Sequence, residues 1–258
     1  MICTIKLINF CPVKSLSFQS INSCQIKKNL GMPNDRIFAF SRGIESEKAK
    51  TIEKNPKERK LNNFLTLKNS PVLNKYNFSY DGNKLTLISN GEEIISISAD
   101  DQNEKSLLSK KLFELENTLA NPIILLKNTE YPFYDTSHSN NVFNSISLIN
   151  INSIKDFENK IGEDIEFQRF RGNLYIDGIS AWEERNWINK TIKINNTLFK
   201  VEKNIPRCVA INLKPKTEDN SLNLLNSLKK TYNHFDMGVY LTALEDGKVN
   251  VGDRVELI

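Results

Sequence analysis

Apolar and polar positions alternate from the first residues of the chain. CTIKLINFCPVKSL reads as a half-buried strand that Pro12 breaks, since proline has no N–H to give a central ladder. DRIFAFSR and NFLTLKN read as a second and a third short strand. The stretch NFSYDGNKLTLISNGEEIISISA predicts two hairpins, with Asp81-Gly82 and Asn90-Gly91 at the turns because these residues tolerate positive φ. The polar segment GIESEKAKTIEKNPKERK between them is expected as a solvated loop or short helix. Short strands punctuated by turns predict a barrel or sandwich for this part.

The period then changes. In EKSLLSKKLFELENTL, Leu108, Leu112, Leu115 and Leu119 recur at helical spacing and predict one buried stripe. A boundary placed here divides the chain into 1–117 and 118–258. NPIILLK reads as a strand buried on both faces, and EYPFYDTSHSNNVFNS as an aperiodic loop of the kind that lines sites. ISLIN predicts a strand leading into a helix over NSIKDFENKIG. Ser153 with Asp156 three residues on suits its start, and Gly162 its stop. FRGNLYIDG and TIKINNTLFKVEKN read as strands, and SLNLLNSLKKTY as a short helix capped by Ser221. In GKVNVGDRVELI, Val249, Val251, Val255 and Leu257 alternate around a Gly252-Asp253 turn. The fold class expected is mainly β, within α+β, with a few short helices.

Composition narrows the function. With 258 residues, 39% hydrophobic and 26% charged, the chain has the make-up of a globular protein with a sizeable core. A net charge of +4 is too small to suggest a nucleic-acid partner. No apolar run reaches the roughly 18 residues of a membrane helix, and the start lacks a basic leader and cleavage site. A cytoplasmic protein beginning at or near Met1, with no nucleic-acid or membrane partner, is expected. Cys3, Cys11, Cys24 and Cys208 form no C-x-x-C, and His138 and His234 are the two histidines, so neither a disulfide framework nor a structural zinc site is indicated. Cys3, Cys11 and Cys24 read as small core residues.

The chemistry-bearing stretch is NIPRCVAINLKPKT, where Arg207 precedes Cys208. The dipeptide alone leaves two readings open: a small buried hydrophobe, or a metal ligand whose thiolate a guanidinium would favour. On a strand, neighbouring side chains point to opposite faces, so any help from Arg207 is electrostatic at longer range or absent.

Six pieces in order, CPVKSL, LGMPNDRIFAF, RFRGNLYIDG, AWEERNW, IPRC and GVYLTALEDGKVNVGDRVEL, resemble the MOSC superfamily with its preceding N-terminal β-barrel domain. The resemblance covers nearly the whole chain and implies a MOSC N-terminal β-barrel domain over 1–117 and a MOSC β-barrel domain over 118–258. Within the superfamily the chain resembles the branch of the mitochondrial amidoxime-reducing component and its bacterial relatives. That branch carries a molybdenum cofactor, a molybdopterin, whose metal is bound by the cysteine of the RC dipeptide. The matching position is Cys208, which the resemblance makes both metal ligand and catalytic residue. The cofactor-binding positions that match are Lys14 and Ser15 of PVKS, Arg36, the pair Arg171 and Asn173 of RFRGN, and Asn152 with Ser153 at the start of the helix after ISLIN.

The residues themselves keep other roles open. Lys14 suits a solvated surface charge, Asn173 a turn, Ser153 a cap, His138 a loop histidine, and Trp182 and Trp187 a fold-supporting element. Arg36 and Arg171 lie in apolar runs, where an unpaired charge is costly. They call for an anionic partner, either the cofactor or a carboxylate such as Asp177 or Glu183. Gly172 stands where the family carries proline, and Asn152 replaces a small hydroxyl residue.

The resemblance implies an enzyme that reduces N–O bonds of small N-oxygenated substrates. Electrons would come from a separate electron-transfer protein (ferredoxin, cytochrome or flavin reductase), since no cysteine follows Cys208 to hold an iron–sulfur cluster. Pyridoxal phosphate belongs to the family's sulfurase members, and no lysine motif for it is present here. Those members suggest a sulfur or cofactor carrier using a Cys208 persulfide as the rival reading, with a non-catalytic binding module as the third.

Overall fold

The computed structural model describes residues 2–134 and 146–258. In chain order the strands and helices are β1 (Thr4–Phe10), β2 (Gln19–Ile21), β3 (Ser23–Ile26), β4 (Phe38–Phe40), α1 (Ser46–Lys54), β5 (Tyr76–Tyr80), β6 (Lys84–Ser89), β7 (Glu92–Ser98), α2 (Gln102–Leu115), β8 (Leu125–Lys127), β9 (Ile146–Asn150), α3 (Ile151–Ile161), β10 (Leu174–Asp177), β11 (Thr191–Ile194), β12 (Thr197–Pro206), α4 (Leu224–Tyr232), β13 (Asp236–Ala243), β14 (Gly247–Asn250) and β15 (Val255–Leu257). The chain is mainly strand, with helices interspersed, as its patterning predicts.

One sheet of eight strands organises the molecule, in the order β15-β11-β12-β13-β9-β10-β1-β2. Its pairs are antiparallel except β9 with β10, which run parallel. Parallel neighbours need a crossover, and α3 supplies it. β1, from the first residues, pairs with β10, so the two ends of the chain share this sheet. The meander β5-β6-β7 turns at Gly82 (φ 106°) and at Asn90 and Gly91 (φ 51° and 85°), where the hairpins were expected.

The sheets are not closed into the expected barrels. β1 divides its free edge lengthwise. Ile8 to Phe10 pair with β2. The start of β1 instead meets the segment before β15 through three bonds, Val255 N to Cys3 O (2.9 Å), Ile5 N to Asp253 O (2.9 Å) and Gly252 N to Ile5 O (2.8 Å). That contact is a bridge at the strand ends rather than a continuous ladder.

A main core lies on one face of the large sheet and takes Ile5, Ile8, Leu148, Val201, Val239 and Leu241 together with the residues of the meander. On the other face α3 and α4 cover Ile149, Tyr175 and Met237 with Ile154, Phe157, Leu224 and Leu228. Among the described residues no helix is long and apolar enough to cross a membrane.

Four local expectations are corrected. NFLTLKN is not a strand: it starts at the end of a short 3-10 helix (Leu61–Asn63), makes a single bridge from Phe64 to Ser41 and ends in a turn. Asn63 Oδ1 takes Lys60 N–H and Asn69 Oδ1 takes Thr66 N–H, and such local bonds compete with a ladder. The cap of α3 is Asn150, which accepts Asn152 N–H at 3.0 Å. The cap of α4 is Asn223 rather than Ser221. Val251 and Leu257 are exposed, because the Gly252 turn (φ 92°) sends β14 to pair with β3 and β15 to pair with β11.

Candidate functional site

Cys208 lies just past the end of β12. Pro206 closes that strand opposite Asp236 after an irregularity in register. The chain then turns into a short 3-10 helix, Val209–Asn212, whose N-cap is Cys208. The thiol is exposed, which sets it apart from Cys3 and Cys11, both buried. Arg207 goes the other way. Its guanidinium donates to Phe170 O at 2.7 Å and to Met237 O at 2.9 Å from Nε, with Nη2 also on Met237 O. Burial pulls its pKa down, against Tyr240, Tyr175, Cys208 and Asp236. The two side chains therefore part just past the end of β12, with Cys208 still among the groups that act on Arg207.

Arg171 follows the 3-10 helix Phe167–Phe170 and holds left-handed backbone (φ 52°). Its Nη2 donates to Leu16 O at 2.5 Å and reaches Cys11 Sγ at 3.9 Å. Burial lowers its pKa. The groups acting on it after that are Cys11, Arg36, Cys208 and Tyr175, and none is a carboxylate. Arg36 is also left-handed (φ 56°) and pairs with Asp35. Burial would lower it, but Asp35 outweighs burial and holds it above its ordinary value. The two guanidiniums share the ring of Phe18, at 5.6 Å for Arg36 and 5.0 Å for Arg171. Arg171 and Arg207 thus both act on Cys208, and Arg36, paired with Asp35, lies beside Arg171. Neither Asp177 nor Glu183, the carboxylates weighed from sequence, is the partner of either arginine.

Lys14 and Ser15 lead into this region. Lys14 is buried, donates from Nζ to Phe133 O at 3.1 Å and lies over the Phe64 ring, so the solvated-charge reading is set aside. Ser15 is a third left-handed residue, φ 62°. Left-handed backbone in residues with a Cβ costs of order 1–3 kcal/mol and gathers at functional sites.

Sequence reasoning missed Cys11 and Phe18 as neighbours of the site. Cys11 is fully buried. Its thiol donates to Val13 O (2.9 Å), its N–H to Asp35 Oδ1 (2.7 Å), and its carbonyl accepts Arg36 N–H (2.6 Å). Burial raises its pKa, opposed by Arg36 and Arg171. The CP dipeptide marks the strand break, but nothing in it points to two arginines distant in sequence.

The remaining expected residues are held elsewhere by protein partners. Asn173 bonds Ser147 and Asn9 inside the large sheet. Asn152 donates to Asp177 Oδ1 (3.0 Å) and Ile179 O (2.8 Å). Ser153 donates to Glu184 (2.8 Å) and accepts Trp182 N–H (2.8 Å). Burial raises Glu184, against bonds from Asn150 and Ser153. These contacts tie the start of α3 to the Trp182 loop. His138 lies outside the described residues.

The same loop makes a testable acid-side contribution. Asp156 Oδ2 accepts from Trp182 Nε1 and Tyr232 Oη, both at 2.7 Å, and pairs with Lys160 at 3.1 Å. Burial would raise this carboxyl, but the bonds hold it below its ordinary value. A depressed acid stabilises above its unfolded pKa of about 4, and the effect is lost as pH falls through the folded value. Asp156→Asn should therefore lower Tm by about 2–4 °C at pH 7. The gap from wild type should shrink as thermal unfolding is repeated below pH ~4.

Gly172 has a local reason. Its N–H donates to Tyr175 Oη at 3.0 Å, which proline cannot do, and a Cβ here would lie 2.7 Å from Ile149 Cδ1. Gly172→Pro should cost roughly 2 kcal/mol in urea unfolding.

Among the described residues no group of three or more His, Cys, Asp or Glu could hold a metal ion. A metal at Cys208 would have one protein ligand and would need to bring the others. The donor set, one exposed thiol with Arg171 acting on it and no carboxylate acting on Arg171, suits a metal already held in an anionic group.

Residues 135–256 match the MOSC domain. No curated protein matches the chain. Among solved structures the chain is similar to the YuaD protein from Bacillus subtilis at 10% identity and a TM-score of 0.46, over 100% of this chain and 96% of that one. It is similar to YiiM from Geobacillus stearothermophilus at 17% identity and a TM-score of 0.35, over 44% of this chain and 53% of that one. YiiM from Escherichia coli is similar at 16% identity and a TM-score of 0.35, over 44% and 53%.

Proposed function

We propose that this chain, whose residues 135–256 match the MOSC domain, is a molybdenum-cofactor oxidoreductase that reduces N–O bonds of small N-oxygenated compounds. Two arginines that act on the exposed Cys208, Arg171 and Arg207, with Arg36 beside Arg171, carry this reading. MOSC domains are associated with the molybdenum cofactor, and these residues fit it. When bound, the cofactor would supply two-electron reduction of the N–O bond. Cys208 Sγ would be the protein ligand, since a thiolate suits a sulfur-bound metal. Arg171 and Arg36 would bind the anionic group through guanidinium forks already fixed by Leu16 O and Asp35. Arg207, anchored on Phe170 O and Met237 O, would hold positive charge beneath the thiolate without moving. Electrons would come from a separate redox protein.

The test is expression in a host that makes the cofactor, followed by elemental mass spectrometry and an assay of N-hydroxylated substrates with a chemical reductant. About one molybdenum per chain with substrate reduction is expected. A metal-free protein from such a host would sink the reading. The exposure of Cys208 favours one second reading, a sulfur carrier. That protein would hold no molybdenum and would gain the mass of one sulfur atom, reversible by reductant.

A further inference from the structure

Arg171 borders a cavity of 130 Å³. Phe18, Phe167, Tyr175, Leu213 and Ala210 line it beside Arg171. Ala210 lies two residues past Cys208, on the short helix that the cysteine caps. Phe167 meets Tyr175 edge-on at 5.1 Å, and Phe18 carries the Arg171 guanidinium at 5.0 Å. Three cations, Arg169, Arg171 and Lys216, border the space, and no carboxylate does. Arg169 is already paired with Glu166 at 2.6 Å, which leaves Arg171 as the half-buried cation on which no carboxylate acts.

Size, wall chemistry and charge select one ligand class. A cavity of about 150 Å³ takes a benzene ring, so this slightly smaller one holds at most a single ring, with its polar head at the mouth. Aromatic walls favour a planar ring in edge or offset contact over a saturated one. A guanidinium fork favours an oxygen-rich or anionic head. The amides of Asn77 and Gln168 supply further polar positions on the lining.

We propose that this cavity is the ring pocket for the substrate of the Cys208 site, taking one planar ring whose oxygen-bearing head meets the donors of Arg171 that the cofactor leaves open. The link to substrate rests on the reductase reading, whereas the binding itself does not. Benzoate is the probe, followed by saturation-transfer NMR and titration on the purified full chain, with its molybdenum content measured alongside. Benzoate should bind saturably. Cyclohexanecarboxylate and 2-naphthoate should bind at least about tenfold more weakly, a difference of roughly 1.4 kcal/mol. Ala210→Trp should fill the space and abolish binding. Phe18→Ala should enlarge the space and let 2-naphthoate overtake benzoate, which decides the matter if Ala210→Trp does not fold. Benzoate failing to bind, binding unchanged in Ala210→Trp, or an unaltered preference in Phe18→Ala would each overturn the pocket. So would loss of benzoate binding on molybdenum loading, since the cavity would then belong to the cofactor. Benzoate bound by a chain that never takes up molybdenum would keep the pocket and sink the reductase reading, so the two fail separately.

Discussion

Cys208→Ser is expected to emerge from a cofactor-competent host with background molybdenum, while the wild type carries about one metal per chain. The expected size of the loss follows from the donor set. Among the described residues no cluster of acidic, histidine or cysteine side chains offers a substitute ligand. A serine hydroxyl does not ionise near neutral pH, whereas a free thiol does so at about 8.5. Changes to partners outside the ligand shell already cost about 10–100-fold in metal affinity, so loss of the sole protein ligand should exceed about 100-fold. The fold should be indifferent, because the side chain is exposed and exposed substitutions usually stay within about 0.5 kcal/mol. Cys24→Ser is the control, a thiol on β3 packed against the main core. It should keep its metal. If Cys208→Ser keeps its metal as well, the ligand assignment is wrong.

Local chemistry was legible in the sequence, and long-range assembly was not. The Asp81-Gly82 and Asn90-Gly91 turns and the Gly162 stop of α3 depend on the φ values their own residues accept, so a single segment announces them. The pairing of β1 with β10 joins residues more than 160 positions apart, and no alternation pattern names its partner. The site divides in the same way. Arg36 and Arg171 stood out as charges in apolar runs, and the structure brings both to the ring of Phe18. Phe18 itself carried no signal, being one aromatic in a polar stretch. Ser153 shows the reverse error. Its type fits a cap, but Asn150 reaches the free N–H first, and the serine hydroxyl is released to hold Glu184.

Backbone strain was hidden for the same reason. Ser15, Arg36 and Arg171 all hold left-handed φ where glycine would be easier. Each sits where a turn aims a side chain or a peptide at the region around Cys11. Arg36 N–H meets Cys11 O, and Arg171 Nη2 meets Leu16 O. Surrounding bonds that over-determine a strained residue keep it in place. Rigid guanidiniums are what a pre-formed anion site needs, because little ordering remains to be done on binding.

Asn173→Ala is expected to cost stability first and cofactor only as a consequence. The Asn173 side chain is 1% exposed in the middle of the large sheet. Its Oδ1 accepts Ser147 N–H at 3.2 Å and Ser147 Oγ–H at 2.7 Å, and its Nδ2 donates to Asn9 O at 3.2 Å. The amide thereby splices β1 to the β9–β10 region at a point where Asn9 N–H also bonds Asn173 O at 2.7 Å. Alanine removes three bonds and strands Ser147 N–H and Asn9 O away from water. At about 1–3 kcal/mol for each orphaned group, the loss should be roughly 3–5 kcal/mol. That is a large share of a domain's usual 5–15 kcal/mol, and it corresponds to a Tm lowered by roughly 6–20 °C. Asn173→Asp sharpens the test. Its carboxylate can still accept from Ser147, but its second oxygen faces Asn9 O, so the aspartate should be less stable than wild type and recover part of the loss as acid protonates it. Urea unfolding across pH measures both. A direct cofactor contact would behave differently: Asn173→Ala would shed molybdenum at an unchanged unfolding midpoint, and that result would return the residue to the binding site.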